Sequence, residues 1–305
     1  MNLVYILSMF TGSIVALVTP FTEHGEIDFP SVDALIEWHI AEGTNAIVLC
    51  GTTGESPTLH AEEKEALFKR AARQARGRIS LIAGTGTHST SMSVALTKMA
   101  KKEQMDAAIV VVPYYNRPTP EGCIRHYQEI SKVELPLIVY HHPGRTGVWL
   151  STETLASIAS LPGVVGIKEA SGNIEFAEKL IKSTEVPVFC GDDVLTPAMM
   201  QKGARGSISI VANLVPKEWK EVCAADVPTA HALYDELRLL CEAMVLETNP
   251  QCVKYALSLM GKCTPRLRLP LIEPREENKA RIREAIAPYA NACKNWEFCK
   301  EAPTI

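Results

Sequence analysis

A chain of 305 residues, 47% hydrophobic and 22% charged, has the composition of a globular protein with room for one large α/β domain and an addition to it. Its formal net charge of -4 excludes the basic footprint of a nucleic-acid or anionic-membrane binder, and no apolar run approaches the roughly 20 residues that span a bilayer. The nine cysteines are odd in number and show no C-x-x-C spacing, so they read as free thiols in a reducing cytoplasm rather than a disulfide framework or a zinc knuckle.

The opening segment 3–10 is apolar but lacks a basic n-region and a cleavage site, and the first strand pattern starts just beyond Met9, the expected functional start. From there, apolar β-type runs recur at 13–20, 46–50, 79–83, 107–113, 135–140, 164–168, 186–190 and 207–211. Helical periods lie between them, each behind a start signal. Asp28-Phe29-Pro30-Ser31 precedes 32–42, His60-Ala61-Glu62-Glu63 precedes 64–76, and Ser89-Thr90-Ser91 precedes 94–102. Thr119-Pro120 and Ser151-Thr152 open the next two. Eight such units predict an α/β fold of the (β/α)8 TIM-barrel type over 9–227. A doubly wound open sheet is the rival, but no G-x-G-x-x-G follows the first strand. Helix-like segments at 229–247, 250–260 and 273–292 predict a C-terminal helical appendix over 228–292, and 293–305 is a tail without clear period.

In a barrel, reactive groups sit at the C-terminal ends of strands. The sixth run carries Lys168 within Gly166-Ile167-Lys168-Glu169-Ala170-Ser171, an unusual place for a cation. Burial favours the neutral amine, the form that attacks a carbonyl carbon, so Lys168 is a candidate imine-forming lysine. The alternative is a strand-end lysine that reaches solvent or pairs with Glu169. The second run ends in Gly51-Thr52-Thr53-Gly54-Glu55-Ser56, whose N–H groups and hydroxyls suit a carboxylate or a proton relay. Read alone, it is a tight turn with satisfied hydroxyls. Tyr114 and Tyr115 end the fourth run and Tyr140 the fifth, followed by Arg145; singly they read as wet strand ends and a solvated charge. Their convergence on one rim is the argument for a site. His141 and His142 cannot chelate one metal ion together, because neighbouring strand residues face opposite ways. Asp192-Asp193 after the seventh run argues against a phosphorylated substrate.

Six segments in order, Gly51-Thr52-Thr53-Gly54-Glu55-Ser56, Pro113-Tyr114-Tyr115-Asn116-Arg117-Pro118, Tyr140-x-x-Pro143-x-Arg145-Thr146-Gly147, the Lys168 segment, Gly191-Asp192-Asp193 and Leu267-Arg268-Leu269-Pro270, resemble the dihydrodipicolinate synthase family over about 9–292. Each is weak alone; their order and spacing make the resemblance specific. The resemblance implies a lyase of class I aldolase type that needs neither cofactor nor metal. It condenses pyruvate with L-aspartate 4-semialdehyde into 4-hydroxy-tetrahydrodipicolinate, a step of lysine and diaminopimelate biosynthesis. It also implies that Lys168 forms the imine, that Tyr140, Thr52 and Tyr115 relay protons, that Thr53 binds the pyruvate carboxylate, that Arg145 holds the semialdehyde carboxylate, and that Ile208 is a further substrate-binding residue. A homotetramer of two tight dimers, or a homodimer, is implied, with Tyr115 reaching into the neighbouring subunit's site.

Two departures stand out. His141-His142 follow Tyr140 where the family more often has asparagine and an apolar residue. In the cleft where lysine-sensitive members bind free lysine, this chain has Ala61, Lys64, His88 and Met92, which predicts weak or absent inhibition by lysine. N-acetylneuraminate lyase and aldolases of 2-keto-3-deoxy sugar acids are sister readings, disfavoured by Arg145. A non-catalytic pyruvate-binding scaffold is disfavoured by the intact Lys168, Tyr140, Tyr115 and Thr52.

Overall fold

The computed structural model describes residues 10–290; the expected start at Met9 and the tail 293–305 lie outside them. Eight strands, β1 (Gly12–Ala16), β2 (Ala46–Leu49), β3 (Ser80–Gly84), β4 (Ala107–Val111), β5 (Leu137–His141), β6 (Val164–Glu169), β7 (Val188–Cys190) and β8 (Gly206–Ser209), pair in sequence order. All pairs are parallel, and β1 returns to β8 through Ile14 against Ile208, closing the barrel. A helix follows each strand: α1 (Phe29–Ala41), α2 (Ala61–Ala75), α3 (Thr90–Lys102), α4 (Pro120–Ser131), α5 (Thr152–Ala159), α6 (Ile174–Ser183), α7 (Thr196–Gln201) and α8 (Pro216–Ala224). The TIM barrel read from the sequence is therefore the fold.

Both faces of every strand are buried, which is why the runs read as continuously apolar. Ile14, Val48, Ile82, Ile109, Ile138 and Phe189 fill the interior, while Val15, Ile47, Leu81, Val110, Val139 and Val188 pack outward under the helices. The helix starts follow their sequence signals. The Asp28 carboxylate accepts the Ser31 N–H, and the Ser89, Thr119 and Ser151 hydroxyls accept the N–H three residues on. At α2 the His60 N–H donates to Glu63 at 2.9 Å.

Beyond the barrel lie α9 (Val227–Met244), α10 (Gln251–Leu259) and α11 (Glu276–Ala290). α9 packs on α7, α8 and α11, and α11 packs on α10. This region is more than an outer layer, because side chains from 249–268 reach into the loops at the open end of the barrel.

Candidate active site

Strict alternation along β6 would aim Lys168 away from the barrel interior. Val165 faces inward, and from it every second residue, Ile167 and Glu169, should follow. Instead the register with β5 slips: Leu137 opposes Val164 but Ile138 opposes Gly166, so Val165 is an extra residue. This bulge inverts the phase beyond it. Ile167 packs outward, Lys168 comes level with inward-facing Tyr140, and Glu169 turns out beside His141. Gly166 permits it, since a Cβ there would lie 2.7 Å from the Phe189 ring that fills the space. Gly191 clears the next layer, where a Cβ would stand 2.7 Å from Lys168 Cε.

Lys168 is 6% exposed and makes no ion pair among the described residues; its Nζ lies 4.5 Å from the Tyr140 ring centroid. The alternative pairing with Glu169 does not occur. Both residues open into a cavity of about 450 Å³ at the C-terminal end of the strands, which Thr52, Thr53, Arg145 and Ile208 also line. Six of the seven residues singled out from the sequence therefore meet in one pocket. The seventh does not: Tyr115 is 90% exposed, has φ +73°, and points out of its own chain's cavity, which Tyr114 lines instead.

The hydroxyl turn between β2 and α2 is tied from several sides. Thr19 Oγ1 donates to the Gly54 carbonyl at 2.7 Å, and Asn249 Nδ2 donates to Thr53 Oγ1 at 3.0 Å. Asn249 also lines the pocket. Nothing around it in the sequence marked it, because its role depends on contacts with residues nearly two hundred positions away.

His141 and His142 face opposite ways, as adjacent strand residues should. His141 is fully buried between barrel and helices, against Trp149 and Phe176. Its Nε2 accepts the Leu150 N–H, so Nδ1 carries the proton and donates to Glu169 Oε2 at 2.6 Å. Glu169 Oε1 accepts the Ser171 N–H. The pair staples β5 to β6 one residue beyond Tyr140 and Lys168. His142 lines the pocket edge-on to Tyr140, with centroids 5.9 Å apart. Burial first, then the Arg145 and Lys168 charges, depress its pKa to about 4, so it is neutral at neutral pH. After β7, the Asp193 carboxylate accepts the Ile210 and Val211 N–H groups at 2.9 and 2.8 Å, and burial raises its pKa to about 6. It anchors the loop after β8, so this carboxylate serves the scaffold.

Chemically, the pocket offers an amine, a phenol and two hydroxyls around one interior point, with a guanidinium nearer the rim. That set suits carbonyl attack, proton transfer and capture of a carboxylate.

Residues 9–288 match the dihydrodipicolinate synthetase family. The 4-hydroxy-tetrahydrodipicolinate synthase of Ralstonia nicotianae is 44% identical over 87% of this chain and 92% of its own. Among solved structures, dihydrodipicolinate synthase from Aquifex aeolicus superposes with a TM-score of 0.91 at 42% identity, covering 94% of this chain and all of that one. The Acinetobacter baumannii enzyme, complexed with pyruvate, gives 0.90 at 44% identity over 92% and 99% of the two chains.

Proposed function

This chain belongs to the dihydrodipicolinate synthetase family, and on that premise we propose that it condenses pyruvate with L-aspartate 4-semialdehyde to 4-hydroxy-tetrahydrodipicolinate through an imine on Lys168. The observation that carries this reading is the inward aim of Lys168 beside Tyr140, created by the β6 bulge. The Lys168 amine attacks the pyruvate ketone and water leaves. Loss of a methyl proton from the imine gives an enamine, whose carbon attacks the aldehyde of the second substrate. The amine of that substrate then attacks the imine carbon, closes the ring and frees Lys168.

Tyr140 and Thr52 move the protons, Thr53 and Ile208 hold the pyruvate end, and Arg145 takes the carboxylate of the semialdehyde with its planar fork. Tyr115 completes the relay in a second copy of the chain. This is supported by its exposure and left-handed backbone, which aim a large ring outward where solvent alone rewards it poorly. The assembly is a homotetramer of two tight dimers or a homodimer, and residues 228–292 form a helical region distinct from the 9–227 barrel. The working compartment is the cytoplasm, a reading supported by seven described cysteines that are all free.

Intact-mass measurement after pyruvate and borohydride tests the proposal: one adduct per chain, mapped to Lys168 and lost in Lys168→Ala. An unmodified wild type, or an adduct that survives in the variant, refutes it. A companion titration concerns inhibition. Along one wall of the pocket stand buried Lys64 and exposed Met92, a cation and a thioether where an ammonium ligand needs a carboxylate. Millimolar L-lysine should leave the rate unchanged; saturable inhibition would mean that a shifted carboxylate supplies the missing charge, Glu62 before Glu63, whose oxygens are held by Arg268 and the His60 N–H.

A further inference from the structure

The turn that carries Thr52 and Thr53 is bounded by two non-glycine residues in the left-handed region, Cys50 at φ +53° and Glu55 at φ +55°. Such backbone persists only where its surroundings hold it. Glu55 is 1% exposed, and its carboxylate is fully engaged: Lys254 Nζ donates to Oε1 at 2.7 Å and the Arg268 N–H donates to Oε2 at 3.0 Å. Lys254, on α10, is 0% exposed, donates also to the Thr19 carbonyl at 2.9 Å, and lies 4.1 Å from the Phe21 ring centroid. Thr19 in turn donates to Gly54. The ring of contacts therefore runs from α10 through the loop after β1 and back into the turn, closing on Gly54 and Glu55, the two residues that follow Thr53. None of Glu55, Lys254 and Arg268 lines the pocket.

An ion pair this deeply buried gains little net stability, because desolvation largely offsets the attraction. Its presence beside the hydroxyl turn calls for another use. We propose that Glu55 and Lys254 are positioning residues that fix the Thr52-Thr53 turn in its reactive geometry, so that α10 serves catalysis without touching substrate. The inference rests on the functional reading above for its chemistry, but not for its structural consequence.

The test compares wild type with Glu55→Gln, Lys254→Met and the double variant E55Q/K254M. Melting temperature, deuterium uptake across residues 50–59, and the rate of pyruvate-imine formation are read for each. Lys254→Met leaves a carboxylate buried without its countercharge and should melt well below wild type. The double variant removes both charges and should recover most of that loss. A positioning role predicts that the recovered double variant still exchanges faster across 50–59 and forms the imine at least ten-fold more slowly. Wild-type exchange across this segment at restored stability overturns the proposal, whatever the activity. If the double variant does not fold, Glu55→Gln decides, since its amide oxygen still accepts a hydrogen bond: faster exchange across 50–59 supports the proposal and unchanged exchange overturns it. Exchange needs no substrate, so a wild type that forms no imine would defeat the functional reading and leave this arm to judge the positioning role on its own.

Discussion

Arg145 is exposed at the pocket mouth and makes no ion pair among the described residues, so its guanidinium is available for a planar anion. A charge-assisted hydrogen bond to a carboxylate is worth about 1.5–3 kcal/mol, or roughly 10- to 150-fold in kcat/KM. Arg145→Ala should lose that factor toward the semialdehyde and leave pyruvate-imine formation within about two-fold of wild type. Arg145→Lys should recover only part, because an ammonium cannot match both carboxylate oxygens with a fixed fork. Separate kinetics for the two half-steps check this, and equal loss in both would show that Arg145 supports the fold of the 143–147 turn. At the residue scale most of the pocket was legible in the sequence, because each group stands at the end of a strand or in the turn after it. The strand-end pattern marked Tyr115 as a residue type only; its outward reach was implied by the family resemblance and not by the pattern, since a positive φ at a strand exit is a tertiary outcome.

Among the elements, β6 is the one whose pattern misleads. Its run Val164-Val165-Gly166-Ile167 marks a buried strand correctly, yet simple alternation from Val165 would place Lys168 among the helices. Only the slip opposite Ile138 brings it inside, and the trace of that slip in the sequence is a glycine within an otherwise β-branched run. Gly166→Ala would set a methyl group 2.7 Å from Phe189, so either the ring moves or the bulge does. Overpacking of this kind costs about 1–3 kcal/mol, several degrees in melting temperature. If the bulge moves, Lys168 loses its aim, and imine formation should slow at least ten-fold. Trimming the opposing ring in Gly166→Ala/Phe189→Leu should restore both quantities in part. A single variant with wild-type stability and imine rate would show that β6 does not depend on that glycine. The C-terminal helices repeat the lesson at longer range: α9 to α11 were legible by period, but the reach of Asn249 and Lys254 into a loop near residue 54 was not, because no local pattern encodes it.

For the molecule as a whole, two buried imidazoles and one half-buried one set the response to acid. Burial depresses the pKa of His39 to about 3, aided by the Lys262 charge, and that of His126 to about 4; His142 is likewise held near 4. His39 Nε2 and His126 Nε2 have no hydrogen-bond partner among the described residues, so an added proton there would be buried without an acceptor. In the unfolded chain these groups titrate near 6.5. Between pH 6.5 and about 4 the unfolded state therefore binds protons that the native state refuses, and stability falls as pH falls, by about 1.4 kcal/mol per pH unit for each histidine fully engaged. His142, partly open to the pocket, contributes less because water screens it. Asp193 works the other way. Its folded pKa near 6 lies above its unfolded value, so it adds stability below about pH 4 that is lost as pH rises to 6. Burial raises Asp106 and Asp192 in the same sense but less, and the two buried histidines outweigh these carboxyls. The melting temperature should therefore hold level above pH 7 and drop through the range 6.5 to 4.5. His126→Asn keeps an acceptor and a donor for Thr90, whose hydroxyl lies 3.0 Å from His126 Nδ1, while removing one titrating site. Its melting temperature should decline less steeply across that range, by about one proton's worth of slope. A pH-independent wild type, or a variant with an unchanged slope, would show that the buried imidazoles are not what acid attacks first.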